Sequence, residues 1–151
     1  KPITITEPEM TRFLLPLKKA IHLVEFALKN GQQGDIFVRN APSGSIGDLA
    51  QALKNIFSSD SEIKIIGVRH GEKMHETLAS KEELLRSEDM GDYLRLKMDD
   101  RELNYNKYFV EGDKKMVQIE DYTSQNTTCF TVKEIEELLL AQPEIISALK
   151  S

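Results

Sequence analysis

The chain has 151 residues, 40% hydrophobic, 30% charged and 7% aromatic, with a formal net charge of −5. That length supports one sizeable core, and hydrophobic residues recur throughout, which excludes wholesale disorder. The acidic balance argues against a general nucleic-acid binder, and the apolar runs are too short for membrane insertion. A single cysteine, Cys129, excludes an internal disulfide framework or a Cys-rich zinc site, so a reducing, cytoplasmic setting is expected.

The chain opens at Lys1 with alternating apolar and polar residues to Thr6, as if a strand were entered in mid-protein, and it reads as a fragment of a longer protein. Glu7-Pro8-Glu9 predicts a turn. Pro16 to Asn30 predicts a helix with Leu17, Ala20, Ile21, Val24, Ala27 and Leu28 on one packing face, stopped at Gly31. Asp35–Arg39 reads as a short strand. Ser45, with Asp48 three residues on, predicts a capped helix with Leu49, Ala52, Leu53 and Ile56 as its buried stripe. Ile63–Val68 reads as a second strand, and the alternation of strand and helix marks an α/β domain.

Further on, Lys81–Ser87 predicts a short helix and Tyr93–Met98 a half-exposed strand. Residues 99–128 are polar and without a sustained period, as in a long functional loop or an arm that needs a partner. Thr131 and Glu134 form a second capping box, followed by Ile135, Leu138 and Leu139 on one face. Pro143 ends that helix and begins another.

The run from Ile66 to Glu76 carries the most chemistry. An apolar strand enters a glycine-containing turn that presents Arg69, Glu72 and Lys73 together. In open α/β sheets ligands bind beyond the carboxyl ends of strands. There an arginine grips phosphate through its planar fork, and a carboxylate accepts hydrogen bonds from sugar hydroxyls. The turn therefore reads either as a nucleotide or sugar-phosphate site or as a solvated turn with a surface ion pair. His70, Glu72, His75 and Glu76 are crowded, but they straddle the turn and lack the i, i+4 histidine pair of a helical zinc site; no metal site is expected.

Thr11-Arg12-Phe13 offers a second arginine, either an anion contact or an exposed side chain lying over Phe13. Pro42–Gly47 lies between a strand and a helix, where backbone N–H groups can receive phosphate, but it lacks the P-loop and GxGxxG patterns, and Ser45 is better explained as a cap. Tyr93 and Lys97 match a Tyr-x-x-x-Lys spacing, yet on a strand they stand roughly 13 Å apart and cannot share a proton. Cys129 reads as a small packed residue and His22 as structural or solvated. Lys114-Lys115 is too short for a nucleic-acid patch, and the cluster Glu82, Glu83, Glu88, Asp89, Asp92 reads as a solvated face.

Met10–Phe13, Gly34–Val38, Ile46–Ala50 and the Gly-x-Arg-x-Gly-Glu-Lys-x-His-Glu run from Gly67 to Glu76 together resemble bacterial polysaccharide-biosynthesis enzymes. These are nucleotide-sugar 4,6-dehydratases and epimerases of the extended short-chain dehydrogenase/reductase class. Asp99–Tyr105 and Asp121–Thr127 resemble the CapE-type capsule branch. The resemblance implies an α/β fold, the C-terminal substrate-binding portion of such an enzyme without its Rossmann cofactor domain. NADP or NAD and the catalytic residues would belong to that missing N-terminal domain, so neither a catalytic residue nor a cofactor site is expected in this chain.

By the same resemblance, Arg69 would contact the diphosphate and Glu72 the ribose of a UDP-sugar, with Thr11 and Arg12 bordering the site. The implied activity of the complete enzyme is UDP-N-acetylglucosamine 4,6-dehydration with 5-epimerisation, in capsular or surface polysaccharide biosynthesis. The alternatives are a UDP-glucose or UDP-N-acetylglucosamine 4-epimerase and, from another class, a non-catalytic binding or oligomerisation module. A homo-oligomer is expected. So is a division into a UDP-sugar-binding region over 1–98, a polar loop or arm suited to a subunit interface over 99–130, and a helical segment over 131–151.

Overall fold

The computed structural model describes residues 1–98 and 119–150. In chain order they form β1 (Ile3–Ile5), β2 (Thr11–Phe13), α1 (Leu17–Asn30), β3 (Ile36–Arg39), β4 (Ser43–Ser45), α2 (Ile46–Ile56) and β5 (Ile63–Ile65). There follow β6 (Thr77–Ala79), α3 (Lys81–Leu84), β7 (Ser87–Asp89), β8 (Tyr93–Leu96), β9 (Tyr122–Thr123), α4 (Val132–Leu140) and α5 (Pro143–Leu149). These elements group into two compact units. The polar arm expected over 99–130 falls largely on residues 99–118, outside the described residues.

The first unit comprises Lys1–Pro16, Ala41–Glu76 and Thr123–Ser151. β1 runs parallel to β5, with Ile3 opposite Ile63 and Ile5 opposite Ile65. β2 lies antiparallel to β4, with Arg12 opposite Gly44. The α2 helix begins where Ser45, in extended backbone, accepts the Asp48 N–H at 2.9 Å, as the sequence predicts. The α4 helix begins with the full reciprocal box between Thr131 and Glu134. The two helices pack together, and Asn55 donates to Glu136 across them at 2.6 Å. Gly44 makes room for that layer: a Cβ there would sit 2.9 Å from the Ile135 side chain.

Two expectations change here. The most buried residues of α2 are Ala50 and Ala52, while Leu49, Leu53 and Ile56 are half-buried. The second strand stops at Ile65, three residues short, because Gly67 turns the chain at a φ of +83° and leaves Ile66 and Val68 exposed. The fold is mixed α/β. β1 and β5 pair in parallel, whereas β2–β4, β3–β8 and β7–β8 are antiparallel.

The second unit comprises Leu17–Asn40 and Thr77–Tyr122. Its sheet has the order β3-β8-β7, with Ile36 opposite Leu96 and Arg39 opposite Tyr93. Val38, Ala79 and Leu96 form its core, flanked by Leu84, Leu94 and Tyr122. The α1 helix forms as predicted but packs by a different face. Phe26 stacks on Tyr93 with ring centroids 4.1 Å apart and meets Phe37 edge-on at 5.7 Å, so the aromatic ring sets the helix's rotation. Ala20, Leu23 and Ala27 are half-buried beside it, and Leu17, Ile21, Val24 and Leu28 are exposed. The α3 helix, capped by Ser80 and Glu83, ends at Leu84, and Ser87 starts β7 instead of continuing the helix. No helix among the described residues is long and apolar enough to cross a membrane.

The register of β3 against β8 is held by charge. Arg95 grips Asp35 Oδ2 through Nε at 2.8 Å and Nη2 at 2.7 Å, and the Gln32 N–H donates to the same oxygen at 2.7 Å. The Arg95 hydrogen bond, then the Gln32 N–H, hold the Asp35 carboxyl below its ordinary 3.8. A carboxyl depressed in the folded state stabilises fully above its unfolded value and loses that contribution as pH falls through the folded one. Asp35→Asn is therefore expected to lower the thermal midpoint at neutral pH, and the gap from the unsubstituted chain should close below pH 3.8. A gap independent of pH in melts from pH 2 to pH 7 would rule the ion pair out.

Candidate functional site

All four predicted binding residues lie in the first unit: Thr11 and Arg12 on β2, Arg69 and Glu72 on the turn that follows β5. The turn closes on itself. Glu72 Oε2 accepts the Arg69 N–H at 2.9 Å, and the Glu72 N–H returns to the Arg69 carbonyl at 3.1 Å. Gly67 and Gly71 bracket it in left-handed backbone, with φ of +83° and +85°. The Arg69 guanidinium and the Lys73 ammonium are exposed and have no partner among the described residues. The second Glu72 oxygen is equally uncommitted. An arginine fork and a carboxylate therefore stand ready together, the pairing that suits a phosphate next to a sugar diol.

β2 joins this turn at its far end. The Thr11 N–H donates to the Met74 carbonyl at 3.0 Å. Arg12 is tied into the protein: Nη1 donates to the Thr11 carbonyl at 2.7 Å and to the Met74 carbonyl at 3.4 Å, and Nε lies 3.5 Å from Glu76 Oε1. Arg69, by contrast, has no partner among the described residues.

The Thr11 hydroxyl is likewise committed inward, 2.8 Å from His75 Nδ1 and 2.7 Å from Ser124 Oγ. Ser124 is fully buried, accepts the Glu76 N–H at 2.9 Å and donates to the Thr11 carbonyl at 3.2 Å. One proton assignment satisfies every contact: His75 Nδ1–H to Thr11, the Thr11 hydroxyl to Ser124, and the Ser124 hydroxyl to the Thr11 carbonyl. Sequence reasoning missed Ser124 and Glu76 as partners. Ser124 is signalled by its place in the run Asp121–Thr127, and Glu76 by its place in Gly67–Glu76 and among the crowded ligand-type residues there.

The other candidates separate. Tyr93 and Lys97 keep distinct partners, Arg39 at 2.9 Å from the Tyr93 hydroxyl and Glu88 at 3.1 Å from Lys97 Nζ. Cys129 is exposed rather than packed, because its backbone bridges Ser43 while its side chain faces outward. His22 is exposed on α1. The strand–helix junction at β4 and α2 does not fit a dinucleotide phosphate. Its N–H groups are already taken: Ile46 by the Met10 carbonyl at 2.8 Å, Gly47 by the Pro8 carbonyl at 3.0 Å, and Asp48 by Ser45. Gly44 faces Ile135 and Leu14 instead of open space.

Comparison with known proteins identifies the family. Residues 1–98 match the family model "Polysaccharide biosynthesis protein", and residues 99–145 match "Polysaccharide biosynthesis protein C-terminal". The chain belongs to the polysaccharide biosynthesis protein family. Across its whole length it is 50% identical to a UDP-glucose 4-epimerase of Rickettsia canadensis (strain McKiel) and 51% identical to that of Rickettsia rickettsii (strain Sheila Smith). It spans 44% of each of those relatives, less than half their length. The X-ray structure of Pen from Bacillus thuringiensis superposes with a TM-score of 0.76 at 25% identity, over 94% of this chain and 40% of that one.

The mixed α/β fold is accordingly that of the C-terminal part of an extended short-chain dehydrogenase/reductase-like protein. In family terms Ser124 comes from the second matched region, and its partners Thr11 and Glu76 from the first. Thr11→Val keeps the side-chain shape but takes a partner from the buried Ser124 hydroxyl. It is expected to destabilise the chain by about 1–3 kcal/mol in urea denaturation, with Thr11→Ser recovering most of the loss. Equal stability of the valine variant would remove the hydroxyl from the account.

Proposed function

We propose that this chain is the UDP-binding part of a nucleotide-sugar 4-epimerase, and that Arg69 and Glu72 hold the UDP handle. The observation that carries this reading is the turn from Gly67 to Lys73. Its backbone is closed by Glu72, while the Arg69 guanidinium and one Glu72 oxygen have no partner among the described residues. A guanidinium fork pairs with a diphosphate by charge-assisted hydrogen bonds, and the free carboxylate oxygen accepts from a ribose hydroxyl. Arg12 and Thr11, held by Glu76, Ser124 and His75, border the site as its fixed edge.

The expected dehydratase with 5-epimerase activity gives way to the 4-epimerase alternative, because relatives about half identical over the whole chain carry the name UDP-glucose 4-epimerase. Both activities use the same handle, and this chain's contribution to either is positioning: a fixed UDP aligns the hexose with groups held elsewhere in the full-length protein. Use of NAD or NADP belongs in this proposal to the full-length protein, which supplies the redox step when the cofactor is bound. No seat for it is assigned to the β4–α2 junction, whose donors are already engaged.

In calorimetry on the full-length protein, Arg69→Ala is expected to weaken UDP binding by about 1.5–3 kcal/mol, or roughly 10–150-fold. Glu72→Gln should weaken it while leaving the thermal midpoint nearly unchanged. Unchanged UDP affinity in Arg69→Ala would sink the assignment. Incubation with UDP-glucose or UDP-N-acetylglucosamine separates the two activities: a product of equal mass supports the epimerase, and loss of water supports the dehydratase.

A further inference from the structure

We infer that Ser124 is the positioning residue of the UDP-binding turn, an inference that rests on the reading of Arg69 and Glu72 above. The second matched region thereby acquires a role in binding without touching the ligand.

The Arg69–Glu72 bonds close the turn on itself but do not tie it to the rest of the unit. Residues 67–73 are exposed, and a side chain built at Gly67 or Gly71 would meet nothing within 4 Å. Its orientation is therefore set at its two ends. At the near end, the Ile66 N–H bonds to the Ile5 carbonyl at 2.8 Å, an extension of the β1–β5 pairing. At the far end, the Met74 carbonyl takes the Thr11 N–H, and Glu76 is gripped by Ser124 through both of its backbone groups. The Glu76 N–H donates to Ser124 Oγ at 2.9 Å, and the Ser124 N–H donates to the Glu76 carbonyl at 2.8 Å.

The same hydroxyl reaches Thr11, at 2.7 Å to Oγ1 and 3.2 Å to the carbonyl. One buried atom thus fixes the spacing between β2 and the end of the turn, and its single proton and two lone pairs are all used. Ser124 is itself presented by a closed turn: Asn126 Oδ1 accepts the Thr123 N–H at 2.9 Å and the Thr123 hydroxyl at 3.1 Å. Downstream, Thr127 Oγ1 donates to the Ala41 carbonyl, and Ser43 bonds on both sides to Thr128 and Phe130, which anchors the segment along β4. Alanine at 124 would keep the backbone bond to Glu76 and lose the three hydroxyl contacts. The segment would stay in place while the join between Thr11 and Glu76 slackens.

The test is UDP titration of the full-length protein as a double-mutant cycle. Ser124→Ala is expected to raise the UDP dissociation constant about tenfold, on the scale of coupling between linked sites. Because Ser124 acts through the placement of Arg69, the same substitution should change the constant less than about twofold in an Arg69→Ala background. An equal loss in both backgrounds would mean a general structural effect and overturn the inference. Unchanged affinity in Ser124→Ala, with UDP lost in Arg69→Ala, would overturn it and leave the UDP reading standing. Absence of UDP binding in the unsubstituted protein would overturn both. Should Ser124→Ala fail to fold, amide exchange in the unsubstituted protein decides: by reciprocity UDP must slow exchange of the Glu76 and Ser124 amides, and unaltered rates refute the role.

Discussion

A hydroxyl taken out of water is unfavourable unless its proton and lone pairs all find partners, and Ser124 meets that demand with groups from two distant stretches of chain. Thr11 lies 113 residues away in sequence and Glu76 lies 48 away. Satisfying one buried oxygen therefore brings β2, the segment after β5 and the segment before α4 to a single point. From that point β2 runs antiparallel to β4, where Gly44 leaves room for the Ile135 side chain of α4. Local propensity has little say there, since β2, β4 and β9 are two or three residues long.

The charges around this point divide the labour. Arg12 is engaged by carbonyls and by Glu76 at the edge of β2. Arg69 and Lys73 belong to a protein of net charge −5 yet stand together on one exposed turn, with Glu72 turned back onto the backbone. A cationic turn on an acidic protein attracts an anion locally, whereas a broadly basic surface would attract polyanions without discrimination.

Much of this was legible from residue types alone where the cause is local. The caps at Ser45 and Thr131 act within three residues, and both helices begin where those side chains predict. The alternation in Tyr93–Met98 identified a strand, and with it the rejection of a Tyr-Lys pair. The Ile66–Glu76 run was recognisable because glycines and charges cluster there. What escaped was set by long-range partners. The pairing of β2 with β4 and the grip of Ser124 depend on residues far apart, and neither leaves a periodic trace. The face of α1 was misjudged for a related reason: apolar periodicity picked out Leu17, Ile21, Val24 and Leu28, but the stacking of Phe26 on Tyr93 decides which side meets the sheet.

Gly67 and Gly71 differ in kind from Gly34. At Gly34 a Cβ would come within 2.6 Å of the Met98 sulfur, so handedness and crowding both exclude a side chain. At Gly67 and Gly71 the space is open, and the backbone torsion alone disfavours one. Asparagine and aspartate enter that torsion far more readily than β-branched residues do. The two ends of this turn, one on either side of Arg69, therefore offer attachment points for a reporter group, whose first side-chain carbon would meet nothing within 4 Å.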